Sequence, residues 1–277
     1  MKRSGFTLVE LILVIVILGI VSVGTVQYLS FGAQIYAQAT ERDEVVSQAR
    51  FLQTRLSKEL RHAAPNSVRL SCDNSTSNPC SVVQCLEFTP FKSSTVYTNN
   101  LPSDLAASGD VTVVDALVDP VINDWVSIYA LSAADVYQLT NNKRRQIMSV
   151  TQGINTTEPD VWQVDKGFSV DSPSKRIYVL NSAGPVSFCV KENTLYRFEG
   201  YGFFDSQPTP TLLNQINGVS GVAIGQFVQN ALNITEVFRY QSASLTRNSV
   251  VNIQLEMGFN NTESVAFNHE IHLPNVP

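Results

Sequence analysis

Charge is what this sequence lacks first. The thirty residues 11–40 hold no Asp, Glu, Lys or Arg, although charged residues make up 16% of the 277-residue chain. Proline is missing as far as Pro65, and histidine is limited to His62, His269 and His272. Nineteen Lys and Arg against twenty-four Asp and Glu give a net charge of −5 and a pI near 5.2. That balance offers no general basic face, so a nucleic-acid partner is not expected. With 44% hydrophobic residues the chain can bury a core, which excludes wholesale disorder. Its length suits two domains, or one larger β-rich domain with an appendage.

Catalytic and cofactor motifs are equally scarce. His269-Glu270-Ile271-His272 is one residue short of a zincin motif and sits in a β-prone run, where positions three apart point to opposite faces. Gly218, Gly221 and Gly225 lack phosphate-loop spacing and a following Lys-Ser/Thr, and read as a flexible loop. No Gly-x-Ser-x-Gly elbow occurs. Asp119, Asn123 and Asp124 form an oxygen-rich loop without the EF-hand spacing that calcium sites use. The sequence therefore predicts no enzyme, no metal site and no cofactor.

What is present begins at the N-terminus. Met1-Lys2-Arg3-Ser4-Gly5 is a short basic leader, followed by a largely apolar run of 21 residues from Phe6 to Val26. That length meets the ~20 residues a helix needs to cross a bilayer. Val and Ile dominate the run, but in lipid the backbone must satisfy itself and helix prevails. Lys2 and Arg3 hold the start in the cytoplasm, so the remainder is exported. No small-x-small cleavage site follows the run. Glu10 is the anomaly, because a carboxylate within an apolar span costs roughly 2.5–3.5 kcal/mol unless partnered or interfacial.

The combination of leader, Gly5-Phe6-Thr7-Leu8-Val9-Glu10 and an unbroken apolar helix resembles the signal of type IV pilins and type II secretion pseudopilins. The resemblance implies cleavage after Gly5 by the membrane-embedded prepilin peptidase and methylation of the new N-terminal Phe6. It also implies a register role for Glu10, paired with the amine of a neighbouring subunit. In low dielectric such a pair is far stronger than at a surface. Asn-x-Ser/Thr triplets begin at Asn74, Asn155, Asn233 and Asn260, and a bacterial leader makes them chance occurrences.

Beyond the span, Val45, Ala49, Leu52, Leu56 and Leu60 recur at helical spacing and mark one apolar face. A single helix from Phe6 to His62 would measure roughly 85 Å. Past Pro65 the texture changes to strands and turns. β-prone runs are Ser81–Phe91, Val111–Val114, Trp125–Tyr129, Val161–Val164, Lys175–Leu180, Pro185–Val190, Thr194–Tyr201, Val237–Leu245, Ser249–Phe259 and Glu263–Leu273. Asn181-Ser182-Ala183-Gly184 reads as a hairpin turn, Leu131–Tyr137 as a short helix, and Gly153–Pro159 and Ser206–Asn217 as loops. The expected fold class is α+β, a long N-terminal helix followed by an antiparallel β-rich head. The expected organisation is leader 1–5, membrane helix 6–26, amphipathic stalk 27–62 and periplasmic head 63–277.

The four cysteines, Cys72, Cys80, Cys85 and Cys189, allow three full pairings. Export favours disulfides over zinc. Cys72 and Cys80 bracket a short polar loop, while Cys85 and Cys189 lie in strand-like runs that can neighbour each other, so 72–80 with 85–189 is the favoured pattern.

Ser187-Phe188-Cys189-Val190 with Leu195-Tyr196-Arg197-Phe198, and the C-terminal strands ending Ile271-His272-Leu273-Pro274-Asn275, resemble the heads of J-type pseudopilins and W-type minor pilins. Three functions follow: a minor pilin initiating or tipping a pilus, a secretion pseudopilin, or a membrane-anchored adhesin. The partners implied are prepilin peptidase, other major and minor pilins, the inner-membrane assembly platform and the lipid bilayer.

Overall fold

The computed structural model describes residues 5–72, 80, 82–153, 158–216, 218–243, 247–259 and 264–273. Lys2 and Arg3, the loop Asp73–Pro79, the triplet starts Asn74, Asn155 and Asn260, and Pro274-Asn275 lie outside the described residues. The chain divides into two compact units, 1–47 and 48–277.

Helix α1 runs Leu8–Leu60, 53 residues without a break. In the first unit its large apolar side chains are exposed from Leu8 to Tyr36. Ser22 and Thr25, the polar interruptions, donate to the carbonyls of Leu18 and Val21 at 2.6 and 2.7 Å. Both hydroxyls are thereby satisfied within the helix, as a bilayer core demands. In the second unit the helix is amphipathic, with Ala49, Leu52, Leu56 and Leu60 wholly buried.

The remaining elements are β1 (Arg69–Cys72), β2 (Val83–Phe88), β3 (Phe91–Val96), β4 (Gly109–Val113), β5 (Trp125–Ile128), α2 (Ala133–Tyr137), β6 (Arg144–Thr151), β7 (Asp160–Val164), β8 (Arg176–Leu180), β9 (Val186–Lys191), β10 (Thr194–Glu199), α3 (Pro210–Leu213), β11 (Val222–Gly225), β12 (Phe238–Gln241), β13 (Ser249–Gly258) and β14 (Ser264–Leu273). They form three antiparallel sheets, ordered β1-β2-β9-β10-β11, β12-β13-β14 and β3-β8-β5-β6-β7-β4. A long apolar helix followed by an antiparallel β-rich head is the α+β plan expected of a pilin.

The six-stranded sheet closes on itself. Tyr97, just past β3, bridges Val113 of β4, and Thr98 N–H donates to Thr112 O at 2.8 Å. This contact joins the two outer strands at one end and closes the sheet into a small barrel. Its interior holds Tyr97, Val111, Val113, Val126, Ile128, Ile147, Trp162, Val164, Ile177 and Val179, all essentially inaccessible. Strand alternation supplies this filling: in β7, Asp160, Trp162 and Val164 are buried while Val161 and Gln163 are not.

The barrel is an insertion. β2 leads into it and β9 leaves it, and these two strands pair from Val83↔Lys191 to Phe88↔Val186. Cys85 stands opposite Cys189 in that register and is bonded to it, and Cys72 is bonded to Cys80.

Several expectations change. Asn181–Gly184 is a turn but not a hairpin turn, because β8 belongs to the barrel and β9 to the five-stranded sheet. The run Ser81–Phe91 ends as β2 at Phe88: Pro90 lacks an N–H, and Phe91 starts β3 in the other sheet. Gly225 does not belong to a flexible loop, whereas Gly218 and Gly221 precede the strand. A Cβ on Gly225, in β11, would lie 2.5 Å from Leu52 Cδ1, so this glycine permits close packing of strand and helix.

A polar cluster is buried where β1 and β2 meet the chain after β10. Glu87 accepts from Arg69 Nε at 2.5 Å and from the Tyr201 hydroxyl at 3.0 Å. Arg69 also donates to the carbonyls of Asp205 and Phe204 at 2.7 and 2.9 Å. Burial pushes the Glu87 carboxyl above the ordinary carboxylate range, against the pull of Arg69 and Tyr201.

Two measurements test this head. The Cys85–Cys189 bridge spans 104 positions and Cys72–Cys80 only 8. Chain entropy assigns them about 5 and about 2.5 kcal/mol. Urea unfolding of Cys85→Ala/Cys189→Ala should therefore show roughly twice the loss of the Cys72→Ala/Cys80→Ala pair. For Glu87 the folded chain binds the proton more tightly than the unfolded one, so its contribution is full below 4.5 and is lost as pH rises through the folded value. The stability difference between wild type and Glu87→Gln should move in favour of wild type as pH falls from neutrality. A pH-independent difference would show that Arg69 holds the carboxyl at its ordinary value.

Candidate functional site

The N-terminal segment is built from Thr7 upward. Glu10 N–H donates to Thr7 Oγ1 at 3.4 Å and Leu11 N–H to Thr7 O at 3.2 Å, so Thr7 caps α1. Thr7 and Glu10 have the spacing of a capping box, and the first turn is where the helix dipole favours an anion. Glu10 therefore sits where its own helix stabilises it, and it is exposed with no ion-pair partner among the described residues. Phe6 is 76% exposed. Nothing lies within 4 Å of where a Cβ on Gly5 would sit. The fold makes no demand for glycine there, nor for an aromatic side chain next to it. α1 is the single helix among the described residues long and apolar enough to cross a membrane, and none of its most apolar stretch is buried.

The other sequence candidates separate. His269 Nε2 lies 2.7 Å from the Ser57 hydroxyl, whereas His272 is exposed, so the two imidazoles stand on opposite faces of β14. Asp124 is wholly buried and already paired: Lys92 Nζ reaches its two oxygens at 2.9 and 2.7 Å, and Ser182 N–H donates to it at 3.0 Å. A lysine thus occupies the place an ion would need, which removes the oxygen-rich loop as a calcium site. No group of three or more metal-binding side chains is found among the described residues. The buried Glu87 has a perturbed carboxyl, but Arg69 and Tyr201 consume both its oxygens, so it serves the head rather than chemistry.

Two features were not anticipated. Arg144 is 2% exposed, with its guanidinium 3.6 Å from the Phe203 ring centroid and 4.6 Å from that of Trp125. Burial brings its pKa down to about 10, which leaves it cationic at neutrality. No local pattern marks the Arg144-Arg145 pair as buried: the rings across the barrel junction receive Arg144, and the Gly167 carbonyl accepts from Arg145. The second feature is the loop between β4 and β5, where Leu117 is 95% exposed and Val114, Val118, Val121 and Ile122 are also exposed. Two apolar pairs flanking Asp119-Pro120 were its available signal.

Residues 1–26 match the family model described as the prokaryotic N-terminal methylation motif. No curated protein and no solved structure matches the chain. The matched motif marks structural subunits rather than catalysts, and it implies processing by prepilin peptidase and pilin assembly partners. Motif, apolar helix and antiparallel head together support a chain of the type IV pilin and pseudopilin class, membrane-anchored with a soluble head.

Proposed function

We propose that this chain is a minor pilin that initiates assembly of a type IV pilus or stands at its tip. The observation that carries the reading is Gly5-Phe6 and Glu10 ahead of an uncovered apolar helix. Prepilin peptidase cuts after Gly5 at the bacterial inner membrane and Phe6 is N-methylated. The open space around Gly5 supports this, since no contact among the described residues requires a small residue there. Residues 6–26 then form the membrane and filament-core helix, 27–62 the stalk and 63–277 the periplasmic head. Partners are the other major and minor pilins, the assembly platform and the bilayer.

A minor role is favoured by bulk. The inserted barrel adds bulk to the head, which disfavours the dense repeated packing of a shaft subunit. The β9–β10 hairpin, Ser187–Val190 with Leu195–Phe198, supports the W/J-type comparison. Within that type the pattern resembles the O-type minor pilin of the mannose-sensitive haemagglutinin (MSHA) pilus. The same hairpin favours a second reading, a J-type pseudopilin of type II secretion. Deletion separates them: lost surface appendages support the pilus, and exoproteins trapped in the periplasm support secretion.

Processing is tested by intact mass of the native protein, which should begin at N-methyl-Phe6. Gly5→Asp should leave the five-residue leader attached, and a native chain that retains the leader would defeat the assignment.

Glu10→Gln removes the charge while nearly conserving shape. A neighbouring subunit's amine then loses its counter-ion, a cost of roughly 3–5 kcal/mol for a broken buried pair. Leader cleavage, insertion and head folding should persist, while incorporation into pili drops sharply. Normal pilus counts in that strain would leave Glu10 with no more than its favourable place in the first turn of its own helix.

A further inference from the structure

Sheet edges expose unpaired backbone groups, and folded proteins keep them short, twisted or charged. β1, β11 and β12 obey this, each being an edge of four residues. β3 and β4 are joined at one end by barrel closure. β14 is different. It has ten residues, Ser264–Leu273, in unbroken register with β13 from Gly258↔Ser264 to Ser249↔Leu273. It carries no bulge, proline, lysine or arginine, its one Asp or Glu is Glu270, exposed on the face opposite His269, and no backbone hydrogen bond to its outer side is formed among the described residues. Alternate residues along roughly 34 Å therefore point N–H and C=O outward with no partner among the described residues.

A second feature adjoins the same strand. His269, at mid-strand, lines a groove together with Gln53, Thr54, Ser57 and Lys58 of α1 and Arg61 just past its end. Ser57 and His269 are engaged with each other across it. Lys58 and Arg61 are exposed, and neither forms an ion pair among the described residues. In a chain of net charge −5, two unpaired cations beside an open strand edge form a local exception.

We propose that β14 is a docking edge for an extended, acidic segment of a partner protein, which adds as a further antiparallel strand and places carboxylates against Lys58 and Arg61. Backbone pairing supplies the affinity and the two cations supply the selectivity. The inference goes beyond the pilus reading and stands without it, because the edge and groove belong to the head and the test uses neither membrane insertion nor assembly.

The test uses the full chain in detergent micelles and a capped peptide of about eight alternating Glu and Val residues, the length of an ordinary strand. The acidic peptide should bind with Kd below ~1 mM. Amide hydrogen exchange should slow at alternate residues of 264–273. Lys58→Glu/Arg61→Glu, on exposed positions that leave the fold intact, should weaken binding at least about tenfold. The Lys-Val counterpart should not bind. Absence of binding, binding without protection of β14, or equal binding of the Lys-Val peptide overturns the proposal. Protection of β14 that appears without peptide and grows with protein concentration overturns it too, by showing a second copy on the edge.

Discussion

Six residues of β2 pair with six of β9 across an interval that contains an entire barrel, and the head can form only if that pairing is reached. Closing a loop of such length carries an entropy penalty that grows as the logarithm of its size, on the order of 4 kcal/mol here before any constant. Two features offset it. The barrel folds the intervening chain into a unit whose ends, Phe91 and Leu180, are themselves partners in β3 and β8 and so emerge together. The disulfide between Cys85 and Cys189 then limits how far the unfolded chain can separate those strands. The insertion is tolerable because its entry and exit coincide.

Where barrel and sheet meet, the chain buries charge instead of filling the junction with apolar groups alone. Arg144 reaches out of β6 between the rings of Trp125 and Phe203, and Arg69 lies 3.5 Å from the Tyr137 ring while bonded to Glu87. Lys92 from β3 meets Asp124 just before β5, and Asp124 in turn accepts from Ser182 in the crossover from barrel to sheet. Each group belongs to a different segment, and a buried charge left alone would cost several kcal/mol. Misplacing the barrel on its sheet would strand more than one of them. Apolar contacts at the same junction are less directional and would tolerate a shifted arrangement.

The parts of the fold that sequence displays are those set by periodicity. α1 was legible from a charge-free stretch followed by a stripe at Ala49, Leu52, Leu56 and Leu60, and β13 from alternation through Val251, Ile253, Leu255 and Met257. What stayed hidden depends on residues distant in the chain. β6 begins with two arginines that are buried only because Trp125, Phe203 and the carbonyl of Gly167 receive them. β11 ends in Gly225 and is preceded by Gly221, glycines that look like a loop until Leu52 and Phe198 are brought against them. Barrel closure rests on Tyr97 meeting Val113, and no local pattern encodes that contact.

The glycines separate residues that the fold requires from residues that something outside it requires. A Cβ at Gly167 would stand 2.5 Å from Pro102 O and 2.6 Å from Asp104 O, so glycine there is a condition of the barrel's own packing. At Gly5, Gly19, Gly24 and Gly32 the same construction meets nothing within 4 Å. Inside a helix each of the last three costs about 1 kcal/mol relative to alanine, with no internal gain to set against it. Exposed Phe6 and exposed Glu10 follow the same logic, because among the described residues no contact calls for a ring at one or a carboxylate at the other, the Thr7 cap using only the Glu10 backbone N–H. Apart from Gly32, these residues fall within 1–26, where the methylation motif matches. Under the proposed function, cleavage, methylation and packing against that segment supply what the monomer does not.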